Sequence, residues 1–225
     1  MKKFALILNG CGSMDGSEIH ESVSAMYAID KQGAEYLIFA PDIEQYEVVN
    51  HCTKAPMQEK RNCLVEAARI ARGNVRPLSA LHVEDFDAVV FPGGSGSAKN
   101  IFSYLYEGDD FHVNEDVAAI IRAFHRAGKP IGAMCIAPLM IARVIEGVTV
   151  TMGQHPATSE LVEKMGGHAL PTSHGEVIHD VRNKVFSVPC YMLHACISDI
   201  FEEAFHLVEA MLQAMNETTD ASKGQ

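Results

Sequence analysis

The sequence predicts a single α/β domain in which helices cover both faces of a mostly parallel sheet. Short, continuous apolar runs alternate with amphipathic or alanine-rich stretches along the chain. The 225 residues contain no linker, internal repeat or low-complexity segment, and this length suits one large domain. We therefore assign residues 1–216 to one domain and residues 217–225 to a polar C-terminal tail.

The individual elements follow from these patterns. Residues 4–8 form an uninterrupted apolar run, as expected for a parallel strand that is buried on both faces. Ile19, Val23 and Tyr27 then recur at helical spacing before Gly33. The other predicted strands lie at 36–40, 86–91, 131–134 and 185–188, with an extended segment at 148–152. The other predicted helices lie at 58–72, 113–127, 136–145, 159–165 and 195–215, and residues 45–56 and 96–111 predict loops or small insertions.

Charge and cysteine content limit the possible functions. The formal net charge of −11 argues against nucleic acid or an anionic membrane as the main partner, since both require clustered positive charge. No run approaches the roughly 18 apolar residues of a transmembrane helix. The six cysteines include no CxxC pair and no zinc-like spacing with histidine. We therefore expect reduced thiols, no metal site and a cytoplasmic location.

The turn that follows residues 131–134 places Cys135 between a strand and a helix. Small residues on both sides of Cys135 allow the backbone to turn tightly, as in a nucleophile elbow. The positive end of the following helix favours a thiolate, so we expect a lowered thiol pKa. The alternative is a buried structural cysteine, which is common for this residue type.

Two loops supply candidate partners for Cys135. Pro92-Gly93-Gly94 follows a strand, and the N–H of Gly94 could form an oxyanion hole with the N–H of Ile136. The alternative is a crossover loop without a catalytic role. Glu18 begins the first helix and could act as a general acid or base. Its alternative role is in a capping box that begins at Asp15.

These segments together resemble the PfpI/ThiJ superfamily, which is also called class I glutamine amidotransferase-like, and within it the ElbB-like branch. The resemblance extends to about residue 212. Its most specific segments are Asn9-Gly-Cys-Gly-Ser-Met-Asp-Gly-Ser-Glu-Ile-His-Glu21 and Met134-Cys-Ile-Ala-Pro138, and further support comes from Arg61-Asn-Cys-Leu-Val-Glu-Ala-Ala-Arg69 and Ala98-Lys-Asn100.

The resemblance implies a flavodoxin-like sandwich, a homodimer, no cofactor, and Cys135 as a nucleophile with Glu18 as its acid partner. A His-Pro pair about 20 residues after the cysteine is typical of some branches, and His155-Pro156 matches it. We therefore add His155 to the catalytic residues, and Gly93, Gly94, Ile136 and Asn100 to the oxyanion and substrate-binding residues.

The implied activity is a cofactor-independent glyoxalase, which converts glyoxal or a related α-oxoaldehyde to a hydroxy acid. Ile136 stands where several branches have histidine, which argues against a peptidase. The alternative is a redox-responsive or interaction protein whose Cys135 oxidises reversibly. A glutamine-hydrolysing subunit is a weaker alternative, because the His-x-Glu of such enzymes is missing near the last strand.

Overall fold

The computed structural model describes the backbone of residues 1–223 and the side chains of residues 1–217. The strands are β1 (Lys3–Ile7), β2 (Glu35–Ala40), β3 (Val49–Asn50), β4 (Ala55–Pro56), β5 (Val75–Pro77), β6 (Ala88–Phe91), β7 (Ile131–Met134), β8 (Thr149–Val150), β9 (His168–Ala169), β10 (Ile178–Asp180) and β11 (Val185–Val188). The helices are α1 (Ile19–Lys31), α2 (Cys63–Ile70), α3 (Ser97–Asn100), α4 (Tyr104–Glu107), α5 (Glu115–Arg126), α6 (Ala137–Val144), α7 (Pro156–Lys164) and α8 (Ile197–Lys223).

A seven-stranded sheet forms the centre of the fold, in the order β10-β11-β7-β6-β1-β2-β5. All its pairings are parallel except that of β10 with β11. Strands β6, β7 and β11 are buried throughout, which explains why Ser187 of β11 is their only polar residue. Helix α1 packs against α8, and α5 packs against α6. The predicted flavodoxin-like sandwich is therefore confirmed.

Helix α1 buries a different face from the one that its apolar spacing predicts. Ile19, Val23 and Tyr27 are each more than one-third exposed. The buried face consists of small or polar residues, namely Glu21, Ser22, Ser24, Ala25 and Ala28, together with Ile29. Small side chains allow α1 to lie close to α8, and the two serine hydroxyls donate to carbonyl oxygens within or just before the helix. A carboxyl group thus enters the interior from the first turn of α1.

Several boundaries differ from the prediction. Helix α2 begins only at Cys63, because the Asn62 side chain accepts a hydrogen bond from the Val65 N–H and caps the helix there. The predicted loop at 45–56 contains the β3–β4 hairpin, and the one at 96–111 contains α3 and α4. Edge strands β5 and β10 are too short to be recognised by periodicity. Helix α8 continues through Lys223, where the sequence predicts a tail, and residues 224–225 lie outside the described residues.

The loops after β1 and β6 are joined where their backbones touch. Gly96 N–H donates to the Ser13 carbonyl, and Asn9 Nδ2 donates to Ser97 Oγ. A Cβ atom added to Gly96 would lie only 1.8 Å from the Gly16 nitrogen. The contact fixes both loops at the carboxyl end of the sheet, where ligands bind in open α/β folds.

We expect Gly96→Ala to lower the free energy of unfolding by at least about 3 kcal/mol, because the new methyl group would overlap backbone atoms that cannot rotate away. Gly147→Ala is the matched control. Gly147 has φ +67°, and a methyl group added there would meet nothing within 4 Å, so its substitution should cost about 1 kcal/mol from backbone strain alone. Urea unfolding of both variants measures the difference. Equal losses in the free energy of unfolding would contradict the close approach of Gly96 to Gly16.

Candidate active site

Cys135 occupies a strained turn at the carboxyl end of β7. Strand β7 ends at Met134 and α6 begins at Ala137, and Cys135 adopts φ +60°, in the left-handed region that β-carbon-bearing residues rarely occupy. The Cys135 N–H donates to the Val188 carbonyl at 3.0 Å, which ties the turn to β11. The side chain is 7% exposed and borders a cavity. This arrangement is that of a nucleophile elbow.

The carboxyl group that is hydrogen-bonded to Cys135 belongs to Glu21, a residue that the sequence pattern did not indicate as part of the site. Glu21 is fully buried on α1, and its side chain shares a hydrogen bond with the Cys135 thiol. Glu21 Oε2 accepts the Gly93 N–H at 2.7 Å. Glu21 Oε1 is buried without a hydrogen-bond partner among the described residues, which favours the protonated form of the carboxyl group.

Burial and the nearby carboxyl groups determine the ionisation of this pair. Burial, followed by the negative charge of Glu18, raises the pKa of Glu21 to about 8. Burial, followed by the charge and hydrogen bond of Glu21, raises the pKa of the Cys135 thiol well above its usual range. The expectation of a lowered thiol pKa is therefore wrong: the helix end is outweighed by burial and by the adjacent carboxyl group. The two groups titrate as a unit that carries at most one negative charge near neutral pH.

The backbone donors around the sulfur come from two turns. The N–H groups of Gly94 and Ile136 both hydrogen-bond to Cys135 and favour its charged form. Gly93 N–H is engaged by Glu21 instead, so it is not available to a ligand. The Gly93 position must lack a side chain, because a Cβ atom there would lie 2.6 Å from Cys135 Cβ. Two of the three predicted backbone positions thus lie at the sulfur, and the third supports the carboxyl group.

Glu18 caps α1 with its own side chain. Its Oε2 accepts the Glu21 N–H at 2.7 Å, so the local capping alternative is correct in kind, although the cap is Glu18 itself and not Asp15. Asp15 is buried and instead accepts the Val49 N–H. Glu18 borders the same cavity as Cys135, but in the described part of the chain its side chain makes no hydrogen bond to the Cys135 thiol. Its negative charge acts on Cys135 through Glu21.

The cavity beside Cys135 has a volume of about 650 Å³. We call it the elbow cavity, and its walls come from the loops after β1, β6, β7 and β11 and from the start of α4 and α7. It is lined by Ser13, Glu18, His20, Gly94, Ser95, Tyr104, Leu105, Cys135, Ile136, His155, Thr158, Tyr191 and Met192. A second cavity of about 400 Å³ lies near Lys2, Lys129 and His179 at the amino end of the strands and contains none of the predicted site residues.

Two of the remaining predicted residues have partners of their own. His155 lines the elbow cavity, but its Nδ1 caps α7 through Thr158, so only Nε2 faces possible ligands. Asn100 does not line the elbow cavity. Its side chain bridges the Asn9 and Asp15 carbonyls and accepts the Tyr46 N–H. Asn100 therefore braces the loop after β1, outside the elbow cavity, and its predicted role in substrate binding is not supported by a position beside Cys135.

His20 and Tyr191 form a pair in the elbow cavity that the sequence did not reveal. Tyr191 Oη and His20 Nδ1 are hydrogen-bonded at 2.7 Å, and Glu18 Oε1 lies 3.9 Å from the same nitrogen. Burial, followed by the charges of Glu18 and Glu21, raises the pKa of Tyr191, so the phenol stays protonated at neutral pH. The two residues are 171 positions apart, and local spacing carries no signal for such a pair.

The segment that carries Tyr191 is supported by a buried carboxylate. Glu203 on α8 is fully buried, accepts the Cys190 N–H and pairs with His174 Nδ1. The carboxylate of Glu203 raises the pKa of His174 through this hydrogen bond. His174 therefore belongs to the scaffold behind the elbow cavity.

Two further features are absent from the part of the chain that the structure describes. No group of three or more His, Cys, Asp or Glu side chains in residues 1–217 is placed to hold a metal ion. No helix in the described chain is long and apolar enough to cross a membrane.

The fold and the site define an α/β protein with a cysteine elbow and a buried carboxyl partner. A family model described as the DJ-1/PfpI family matches residues 13–181, and the chain belongs to this family. A solved structure from Ehrlichia chaffeensis, described as an isoprenoid biosynthesis protein with an amidotransferase-like domain, has 36% identity and a TM-score of 0.89 over 96% of this chain and all of that one. The predicted resemblance to the ElbB-like branch is thus confirmed.

Two curated relatives come from animals. The human protein is named glutamine amidotransferase-like class 1 domain-containing protein 3, mitochondrial, and is 38% identical over 94% of this chain and 82% of its own length. The Danio rerio protein is named ES1 protein, mitochondrial, and is 37% identical over 84% of this chain and 76% of its own length. The predicted cytoplasmic location is wrong by this comparison, since both relatives are named as mitochondrial. Reduced cysteines are equally compatible with that compartment, which is why composition did not distinguish the two.

The coupled pair predicts a specific pH dependence of thiol alkylation. We expect the rate of Cys135 alkylation by iodoacetamide to rise with an inflection near pH 8 in the wild type, because the pair releases its first proton there. In Glu18→Gln the inflection should move to lower pH, since the charge that raises the pKa of Glu21 is gone. In Glu21→Gln the inflection should disappear. Peptide-level mass spectrometry separates Cys135 from the other five cysteines, and three identical profiles would contradict the assignment.

The raised pKa of Glu21 also predicts how the free energy of unfolding changes with pH. Glu21 has a folded pKa of about 8, above an unfolded value of about 4.3, so the folded state binds the proton more tightly. Its contribution to stability is fully present below the unfolded pKa and is lost as pH rises toward the folded pKa, at about 1.4 kcal/mol per pH unit. Relative to wild type, Glu21→Gln should therefore gain about 3 kcal/mol between about pH 5 and pH 8. Urea unfolding at both pH values measures this gain, and a constant difference would refute it.

Proposed function

We propose that this protein is a cofactor-independent glyoxalase-like enzyme that converts α-oxoaldehydes to hydroxy acids through Cys135. The observation that carries the proposal is the buried Glu21 carboxyl group beside the Cys135 thiol at the wall of the elbow cavity. A nucleophile and a proton acceptor side by side meet the two needs of this reaction, which are addition to an aldehyde and transfer of a proton between adjacent carbons.

The reaction begins when the sulfur of Cys135 adds to the aldehyde carbon. A carbon–sulfur bond forms, and the carbonyl electron pair moves to oxygen, where the N–H groups of Gly94 and Ile136 stabilise the charge. The thiol proton passes to this oxygen by way of Glu21, which gives a hemithioacetal. We assign to Glu21 the role of acid partner that the family resemblance implies for Glu18, because Glu21 is the carboxyl group hydrogen-bonded to the Cys135 thiol.

The second stage moves a proton and releases the product. The Glu21 carboxylate removes the hydrogen on the former aldehyde carbon, and the adjacent carbonyl becomes the oxyanion of an enediolate. Return of that proton to the adjacent carbon, with transfer of the hydroxyl proton from the former aldehyde oxygen to the oxyanion, gives a hydroxyacyl thioester. Water then attacks the thioester carbonyl, the carbon–sulfur bond breaks, and the hydroxy acid and the free thiol are released. In this scheme Glu18 adjusts the pKa of Glu21, and His155 Nε2 contacts the substrate.

The structure supports the alternatives less well. A peroxide-sensing thiol is a solvent-accessible thiolate, whereas Cys135 is only 7% exposed and lies beside the Glu21 carboxyl group, which can relay the thiol proton during addition to an aldehyde. In glutamine hydrolysis a histidine acts as the base that deprotonates the cysteine. Here Cys135 is hydrogen-bonded to Glu21, and His155 is hydrogen-bonded to Thr158. The expected homodimer stays a prediction.

We expect Cys135→Ala to reduce the conversion of methylglyoxal to lactate to the uncatalysed rate, since no other group in the scheme can form the covalent intermediate. Cys63→Ala is the matched control, because Cys63 is also fully buried but lies on α2, outside the elbow cavity. Chromatographic quantification of lactate measures both variants. If Cys135→Ala keeps most of the wild-type turnover, the covalent mechanism is wrong.

A further inference from the structure

The elbow cavity is much larger than glyoxal. A dialdehyde of four heavy atoms occupies about 60 Å³, roughly the volume of two waters, whereas the cavity has about 650 Å³. Cavities in the range of about 300–1,000 Å³ are typical of ligands with several apolar groups. Space beyond the reacting carbons therefore remains for a substituent.

Apolar side chains border this space on two sides of the elbow. Tyr104 and Leu105 come from the segment after β6, and Met192 comes from the turn after β11. Tyr104 is held in place by an edge contact with Phe111, with ring centroids 5.8 Å apart. Leu105 is 47% exposed although it borders the cavity. A preformed aromatic wall and an exposed leucine are suited to an aryl or branched alkyl group.

The charges of the cavity are unfavourable for anions. No lysine or arginine lines it within the described residues 1–217, whereas Glu18 does line it and Glu21 lies behind Cys135. The two histidines are already engaged, His20 with Tyr191 and His155 with Thr158. A carboxylate or phosphate on the substrate would lie near Glu18 and the Glu21–Cys135 pair without a cation to pair with.

We propose that the elbow cavity selects neutral ligands that carry an aryl or branched alkyl group, and that it excludes carboxylated or phosphorylated ones. Applied to the proposed function, on which this extension rests, the preferred substrate is a neutral aryl- or alkyl-substituted α-oxoaldehyde and not glyoxal. The ring lies against Tyr104, Leu105 and Met192, while the aldehyde carbon lies at the sulfur.

The first test compares kcat/KM for glyoxal, phenylglyoxal and 4-carboxyphenylglyoxal. We expect phenylglyoxal to exceed each of the other two at least about tenfold, because it alone places an uncharged ring in the apolar part of the cavity. Leu105→Arg should shift the ratio of the two aryl substrates at least about tenfold toward the carboxylated one. Leu170→Arg is the matched control, since Leu170 is 45% exposed but lies outside the cavity, and it should leave the ratio unchanged.

The second test measures binding without turnover. Benzamide should slow the alkylation of Cys135 by iodoacetamide, and benzoate at the same concentration should not. If the aldehydes are turned over but both aryl substrates are used equally, or glyoxal is preferred, the selectivity is refuted while the proposed function stands. If no aldehyde is turned over but only benzamide protects, the proposed function is wrong while the selectivity stands. Absence of both turnover and protection overturns both.

Discussion

The buried carboxyl group of Glu21 is the constraint around which the site is organised. A carboxylate without partners in the interior of a protein is strongly unfavourable, and the fold meets this cost with a raised pKa and with local hydrogen bonds. The Gly93 N–H from one loop donates to it at 2.7 Å, and the Tyr191 backbone of another loop and the Cys135 thiol both act to lower its pKa. Three segments that are distant in sequence must therefore be placed correctly for one side chain to be tolerated.

This convergence explains the close packing of the backbone around the elbow. A Cβ atom at Gly93 would touch Cys135 and Glu21, and one at Gly94 would lie 2.7 Å from the Glu18 nitrogen. The Glu18 N–H in turn donates to the Gly93 carbonyl, so the start of α1 is attached directly to the glycine turn. The strained φ angles of Cys135 and Cys190 occur where β7 and β11 end beside this junction. Strain of this kind persists where surrounding contacts determine the geometry, as they do here.

The sequence predicted those parts of the molecule whose signal is local. Strands β7 and β11 were predicted to the residue, since a short, mainly apolar run between polar turns is typical of a buried strand. The elbow at Cys135 could also be predicted, because a cysteine that lies between a strand and a helix and is flanked by small residues is a local sequence pattern. Glu21 was missed because Ile19, Val23 and Tyr27 indicate the opposite face of α1 as buried. The packing of α1 against α8 buries the small-residue face instead. These two helices are far apart in the sequence, so the pattern within α1 alone cannot predict the contact.

The two acidic residues of α1 connect the electrostatics of the site to its chemistry. Burial, followed by the charge of Glu18, raises the pKa of Glu21, and burial, followed by the charge of Glu21, raises the pKa of Cys135, so the site resists the accumulation of negative charge. In the proposed reaction, addition of the sulfur to a neutral aldehyde moves the developing charge away from Glu21 and onto an oxygen that two N–H groups can reach. An anionic substrate would restore the electrostatic repulsion that this movement of charge reduces. In this proposal, the carboxyl groups that keep the resting thiol protonated also favour a neutral electrophile, and the cost of burying them contributes to substrate selection.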